Sequence, residues 1–417
     1  MQGLQVNAPE QGHAPRVGIG ESRRTESGAA GREAAARARD GLGGQPPGWV
    51  LAFCGGRHDP EAFLAGLRAE LGEIPVVGGA AVGTITAGLM GVSGYECALA
   101  LFPATLEPRF LLSEPLCDDL HGAGLELGRR LAATAGPDNA VLLFYDSVHD
   151  GGPPPKLHTA SRLMDGLNAA FGDEPPMVVG AGTLQYFALT ESYIFDGRGA
   201  AKHRALAVVL PPGLLGTHTI MHGCVPASAF LEITRIEGAQ VYELDHRPAV
   251  DVLAERVGRD PGALLGRELS MLLTLGEKHG DPFTPFDETR YVNRLVIASD
   301  TETGAVTLFE ADYRPGTRVQ VMVTDAERLN DSVAARTREL VQSLAGLRVL
   351  FGLYFDCAAR ASAFSGVDRE DAEVLLENLG PGVPLLGFYS GVEIAPLLGQ
   401  PRPLDWTGVL TLFTLRE

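Results

Sequence analysis

The order strand, helix, strand, strand occurs three times in this 417-residue chain, and it constrains the fold more than any other feature. In each copy the second strand is a short apolar run broken by glycine. These runs are VVGGAAVGTI from Val76, MVVGAGTLQYF from Met177 and LLGFYSGVEIAP from Leu385. Strand-helix-strand crossovers supply parallel pairs and direct strand-strand links supply antiparallel ones. We therefore predict an α/β fold with mixed β-sheets and helices on their faces.

The helices and the remaining strands are also visible in the sequence. Asp59 followed by Pro60 indicates a helix start, and an apolar stripe follows it at helical spacing: Phe63, Leu64, Leu67 and Leu71. Between the second and third modules, residues 249–257 predict a helix. Three segments there predict strands: RYVNRLVIAS, GAVTLFEA and TRVQVMVTD.

Divergent copies in one chain predict two pseudo-symmetric parts. We expect Gly78, Gly180 and Gly387 at equivalent strand ends. A cleft where the glycine turns converge is the usual kind of place for a small ligand.

The charge balance argues against nucleic acid and membrane insertion. The chain has 34 Lys and Arg against 52 Asp and Glu, a net charge of −18, which repels phosphates and anionic lipid. No segment has the length and apolarity of a membrane span or a signal peptide. The five cysteines are an odd number without CxxC spacing, so we expect free thiols and a cytoplasmic protein.

The third glycine run carries an acid that the other two lack. Glu393 stands where the first run has Thr84, and it follows Phe388, Tyr389 and Ser390. One interpretation is that these residues line a pocket in which Glu393 binds a ligand amine or a partner arginine. The alternative is that Glu393 caps a turn or forms a surface ion pair.

A second candidate, the motif FDCAAR, follows the apolar strand VLFGLY. Arg360 has the geometry to hold a carboxylate, and a nearby guanidinium favours the thiolate form of Cys357. The alternative is an inert buried thiol beside a surface arginine. If both motifs follow parallel strands, Cys357, Arg360, Tyr389 and Glu393 share one pocket wall.

Two further polar groups are weaker candidates. The segment FYDSVHDGG offers acid, hydroxyl and imidazole, but it lacks the constrained GxSxG elbow of a hydrolase, so hydrogen bonding within the loop is the better interpretation. His222 and Cys224 in IMHGCVP are a weak metal or haem signal, and a turn is the alternative.

Taken together, these residues resemble the FIST-domain family. The resemblance rests on the PVVGG unit, HGCVP followed by YELDHRPAVDVL, the arginine of RYVNRLV, FDCAAR and GFYSGVEIAP. It divides the chain into a tail with a first strand (1–34), a FIST N-like domain (35–240) and a FIST C-like domain (241–417). The family pattern usually has a Gly-Glu pair in its first glycine turn, so Thr84 there implies a blunted N-terminal site.

The resemblance implies an intracellular sensory protein that binds a small ligand, with amino acids as the proposed class, and signals to a separate protein. Arg294 and Tyr186 join the candidate ligand-binding residues. No resident cofactor is expected. Two alternatives remain open: a haem protein that senses nitric oxide, and an enzyme with Cys357 as nucleophile.

Overall fold

Three six-stranded β-sheets with the same layout form the frame of the protein. The computed structural model describes residues 14–172, 174–258 and 273–416. Within these ranges the sheets are mixed, and a further eight-stranded sheet is inserted into the third module. The predicted fold class, α/β with mixed sheets and helices on the faces, is confirmed.

The first two modules follow each other along the chain. The first consists of β1 (Gly18–Ser22), α1 (Ser27–Gly41), β2 (Pro47–Gly55), α2 (Pro60–Leu71), β3 (Val76–Ala81), β4 (Gly83–Ile85), β5 (Met90–Gly91) and β6 (Cys97–Pro103). The second consists of β7 (Arg109–Leu112), α3 (Leu120–Ala132), β8 (Ala140–Asp146), β9 (Val148–Asp150), β10 (Lys156–Leu157), α4 (Ala160–Ala169), β11 (Met177–Thr183), β12 (Ile194–Asp196), β13 (Ala200–Ala201) and β14 (Ala205–Val209).

The third module is interrupted after its first strand, β15 (Leu214–Met221). The insertion contains β16 (Val225–Pro226), β17 (Leu231–Glu237), β18 (Gln240–Leu244), β19 (Arg247–Pro248), α5 (Ala249–Val257), β20 (Leu273–Lys278), β21 (Tyr291–Asp300), β22 (Ala305–Leu308) and β23 (Arg318–Val323). The module resumes with α6 (Ala326–Ser343), β24 (Val349–Cys357), α7 (Ser362–Ser365), α8 (Asp371–Leu379), β25 (Leu385–Ser390), β26 (Glu393–Leu397), β27 (Gln400–Leu404) and β28 (Gly408–Leu415).

Each module donates a hairpin to another module's sheet. The hairpin β4–β5 of the first module pairs with β25 of the third. The hairpin β26–β27 of the third pairs with β11 of the second, and β12–β13 of the second pairs with β3 of the first. Each module therefore gives one hairpin to a second module and receives one from the third. Each six-stranded sheet is complete only when two modules contribute strands to it.

The inner faces of the three sheets meet in one central core. Phe53, Phe144 and Phe355 occupy the same position in β2, β8 and β24, one residue after the partner of the glycine. Their rings contact one another or share Phe388, whose ring stacks on Phe53 with a centroid separation of 3.9 Å. The helices cover the outer faces, where separate apolar clusters pack around them.

The three glycines occupy equivalent positions, but not at strand ends as expected. Each lies within its strand, three residues before the last one, and pairs in parallel with the neighbouring strand. A Cβ would lie 2.1 Å from a backbone oxygen at Gly78, 1.8 Å at Gly180 and 2.4 Å at Gly387. Close approach of two strands therefore requires glycine at all three places.

Other details of the sequence prediction have mixed outcomes. Residues 249–257 form a helix as predicted, whereas the helix expected from Asp368 begins at Asp371. All five cysteines are free, as predicted. The predicted division between residues 240 and 241 falls at the start of β18 and stays a prediction. Among the described residues, no helix is both long enough and apolar enough to cross a membrane.

Replacing Gly180 with alanine tests the close approach. The added Cβ would meet the Leu143 backbone oxygen, and neither strand can move without disturbing the sheet. We expect Gly180→Ala to lower the free energy of unfolding by about 3 kcal/mol or more, measured by urea denaturation. Gly172→Ala is the control, because nothing lies within 4 Å of that site. If Gly180→Ala lowered the free energy of unfolding as little as the control does, the close approach of the paired strand at this glycine would be contradicted.

Candidate functional site

A cavity of about 250 Å³ lies where the ends of β24 and β25 face the inserted sheet. We call it the third-module cavity. Its wall is largely apolar and comes from the loop after β11, the inserted sheet, the two strand ends and the segment after β27: Leu184, Phe187, Leu189, Leu295, Ile297, Phe309, Cys357, Ala358, Ala359, Ser390, Gly391 and Asp405. Both sequence motifs, FDCAAR and GFYSGVEIAP, thus contribute to one cavity.

The register of the sheet explains why the two motifs meet. β24 and β25 are parallel, and Cys357 pairs with Ser390 at their carboxyl ends. The carboxyl edge of parallel strands is where α/β folds commonly bind ligands. The chain leaves both strands at this edge, so the wall residues follow directly from the sheet.

Ser390 is positioned by the buried acid Glu393. Ser390 Oγ lies 3.1 Å from the backbone oxygen of Asp356 and 2.7 Å from Glu393 Oε1. Burial raises the pKa of Glu393 well above its usual range, although the Ser390 hydrogen bond opposes the shift. Both oxygens are acceptors within hydrogen-bond distance of the Ser390 hydroxyl, and the contact with Glu393 fixes the orientation of that hydroxyl in the wall. Glu393 therefore lies behind the wall as a support.

The strand register also supports the alignment of Glu393 with Thr84. Glu393 pairs with Ala181, which directly follows Gly180. Thr84 pairs with Phe388, which directly follows Gly387. The equivalent position in the second module is Ile194. Of the three equivalent residues Thr84, Ile194 and Glu393, Glu393 is the acidic one.

Asp405 supplies a charged group to the wall, and the sequence analysis missed it. Asp405 Oδ2 accepts a hydrogen bond of 3.1 Å from the Leu295 N–H. Its Oδ1 is 3.6 Å from Arg294 Nη1 and has no hydrogen-bond partner. Burial raises the pKa of Asp405 to about 7, against the opposing charge of Arg294. The only sequence signal was a carboxylate directly after the strand QPRPL.

The two candidate arginines are already paired. Arg360 is fully buried, and its Nε lies 3.0 Å from Asp371 Oδ2 and 3.1 Å from Asp356 Oδ1. Arg294 is bound by Asp312, with contacts of 2.7 Å and 2.5 Å. Neither guanidinium lies in the wall. The expectation that Arg360 lines the pocket is therefore wrong, because nearby carboxylates hold it inside the fold.

Three other candidates also lie outside the wall. Phe388 belongs to the central core, and the Tyr389 hydroxyl donates to Glu370 Oε2 at 2.8 Å. The Tyr186 hydroxyl donates to the Gly56 backbone oxygen at 2.6 Å. The expectation that Tyr389 and Glu393 form the wall is wrong, since Tyr389 in β25 and Glu393 at the start of β26 are both fully buried outside it.

Cys357 lies in the wall but is not activated there. Burial raises the pKa of its thiol well above the usual range, and the nearby Glu393 acts in the same direction. The nucleophile in cysteine catalysis is the thiolate. The paired Arg360 does not offset the burial, so the geometry does not favour the cysteine-dependent enzyme.

His222 and Cys224 lie in the link between β15 and β16. His222 Nδ1 accepts from the Cys224 N–H at 2.9 Å, and Nε2 lies 3.0 Å from the Glu288 backbone oxygen. Both ring nitrogens are therefore engaged. Burial raises the pKa of the Cys224 thiol to about 12. The weak metal or haem signal at this segment stays a prediction.

Glu393→Gln tests whether the buried acid is neutral. A carboxyl whose pKa is higher in the folded than in the unfolded state stabilises the fold most at low pH. That contribution is lost as pH rises from the usual value of 4.5 towards the folded pKa. We expect the stability of the wild type relative to Glu393→Gln to fall as pH rises above 4.5, by at most about 1.4 kcal/mol per pH unit.

Urea denaturation across this pH range measures the difference. The exposed Glu302→Gln variant is the control, and its difference from the wild type should stay flat. A pH-independent difference for Glu393→Gln as well would mean that Glu393 is ionised in the fold.

Comparison with known proteins places the chain in a family. Residues 48–247 match the family model of the FIST N domain, and residues 249–396 match that of the FIST C domain. These two domains fit the predicted two-part arrangement. An uncharacterized protein of Mycobacterium tuberculosis is 28% identical over 404 residues, covering 95% of this chain and 99% of that protein. One of Mycobacterium bovis is 26% identical over 406 residues, covering 95% and 98%.

Two solved structures of cyanuric acid hydrolases show weak similarity. One, from A. caulinodans, covers 48% of this chain and 72% of that chain, with 13% identity and a TM-score of 0.27. The other covers 97% and 100%, with 8% identity and a TM-score of 0.32. These scores are too low to support an argument about this chain.

Proposed function

Because the chain belongs to the FIST family, whose domains are generally sensory ligand-binding domains in signal transduction, we propose that it senses a small apolar amine in the third-module cavity. The composition of the cavity wall is the observation that supports the proposal. It is mostly apolar, with Ser390 and Asp405 as its few convergent polar groups. Ligand sites typically combine an apolar lining with a small number of placed polar groups.

The volume limits the ligand's size. A cavity of about 250 Å³ equals the liquid volume of roughly eight waters, and a dry cavity of about 150 Å³ holds benzene. A ligand of about eight to twelve non-hydrogen atoms therefore fits. A haem macrocycle is far larger, so we propose that sensing involves no haem.

The charges favour an amine over an amino acid. Asp405 Oδ1 has no hydrogen-bond partner and can accept from an ammonium group. No arginine or lysine belongs to the described wall, so the carboxylate of an amino acid would be buried without a cation. We therefore narrow the expected ligand class from amino acids to amines with an apolar body.

The wall also suggests how binding is transmitted. It joins the loop of Phe187 and Leu189, the inserted sheet and the end of β24, so a ligand contacts three separate parts of the chain. Ile297 belongs to this wall and is 42% exposed. We propose that binding orders this apolar rim and that a separate signalling protein recognises it. The net charge of −18 disfavours nucleic acid and anionic lipid as that partner.

Calorimetry with matched ligand pairs tests the proposal. Phenethylamine and isoamylamine should bind, whereas phenylalanine and leucine, which add a carboxylate, should bind more weakly. Asp405→Asn should weaken amine binding by about 10-fold to 100-fold, the range for loss of a buried charged hydrogen bond. Tyr186→Phe is the control and should leave the affinity unchanged, because Tyr186 lies outside the wall.

The affinity should also depend on pH. An ammonium ligand needs ionised Asp405, whose pKa is about 7 beside Arg294, Glu310 and Asp312. Binding should therefore weaken as pH falls below 7, by at most about tenfold per unit. Tighter binding of the amino acids, or equal amine affinity in Asp405→Asn, would contradict the proposed recognition.

A further inference from the structure

Three histidines of the second module converge at a place that the proposed sensing function does not use. His149 lies in β9, His158 lies between β10 and α4, and His203 lies in the turn between β13 and β14. One ring nitrogen from each lies within 4.8 Å of the other two. We propose that these three imidazoles bind a divalent transition-metal ion of the Zn²⁺ type.

The distances suit zinc. Zn²⁺ binds imidazole nitrogen at about 2.0–2.1 Å, so two ligands of a tetrahedral site are about 3.3–3.4 Å apart. His158 Nε2 and His203 Nδ1 are 3.1 Å apart. His149 needs only a small movement of its partly exposed ring to complete the set.

The ring orientations also suit a shared ion. The planes of His149 and His158 are 88° apart, and those of His158 and His203 are 78° apart. These edge-on arrangements let each ring present one nitrogen to a common point, and one nitrogen of each lies within 4.8 Å of the other two.

The backbone under the cluster is held rigidly. Asp146 accepts hydrogen bonds from the Val148 N–H at 3.0 Å and the His203 N–H at 2.7 Å. The His158 N–H donates to the Ser147 oxygen at 2.9 Å. His158 and His203 are therefore tied by hydrogen bonds to residues 146–147 before any ion binds, and His149 follows directly after Val148 in β9.

His203 also has an unusual backbone. Its φ is +55°, in the left-handed region that residues other than glycine rarely adopt. Such conformations persist where the surrounding structure enforces them, and they are frequent at functional sites. Here the conformation is held by Asp146 and brings the ring to the cluster.

The environment leaves room for a fourth ligand. His158 is buried, with 3% exposure, whereas the His203 side chain is 37% exposed. Sites with three histidines usually keep one position for water or another ligand. The cluster therefore fits a metal at the protein surface with one position open to solvent.

Zinc titration of the full chain tests this inference. The protein is freed of any histidine tag, treated with EDTA and titrated with ZnCl₂ in a calorimeter. We expect one Zn²⁺ per chain. His149→Ala and His203→Asn should each weaken binding at least about 100-fold, more than the loss of a residue that only supports a ligand. Asparagine is used at position 203 because it tolerates left-handed backbone.

His121→Ala is the matched control, since His121 lies in α3 outside the cluster, and it should bind like the wild type. Nuclear magnetic resonance of the unmodified protein with labelled histidines gives a second readout that needs no variant. Zn²⁺ should shift the ring signals of three histidines. Absence of zinc binding, equal affinity in the cluster variants, or shifts confined to other histidines would overturn the inference.

Discussion

The pairing of each glycine strand with a hairpin from another module is the constraint on which the rest of this structure depends. Because β3, β11 and β25 each take their outer neighbour from a different module, no module completes its own sheet. The inner faces can then close around Phe53, Phe144 and Phe355, whose equivalent positions put three aromatic rings in one core. Glycine is needed in each of these strands because its paired strand approaches too closely for a Cβ.

The three repeated sheets carry different functional residues at equivalent strand ends. The last residues of β2, β8 and β24 are Gly55, Asp146 and Cys357. In the third module this edge faces the inserted sheet, which supplies apolar walls, and Ser390 and Asp405 both line the cavity. In the second module the same edge instead organises backbone turns that bring histidines together. Divergence at strand ends, with an unchanged core, is how one repeated fold acquires distinct sites.

Local features were predictable from the sequence, and long-range pairings were not. The helix at 249–257 and the equivalence of Thr84 with Glu393 follow from periodicity and spacing, which the folded chain keeps. The hairpin exchange could not be predicted, because spacing does not say which module a strand joins. The position of Arg360 depends on Asp371, eleven residues further along the chain at the start of α8. The arginine expected in a pocket therefore belongs to a buried ion pair. Asp405 was missed because it follows a strand outside the repeated run.

Hydrogen-deuterium exchange with saturating phenethylamine tests most directly whether the third module holds the ligand. The account predicts slower exchange of backbone amides in residues 184–189, 357–359 and 390–391, which belong to the cavity wall. The equivalent edge of the first module, residues 55–57 and 81–84, should be unchanged. Protection at the first-module edge without protection at the third would contradict the account.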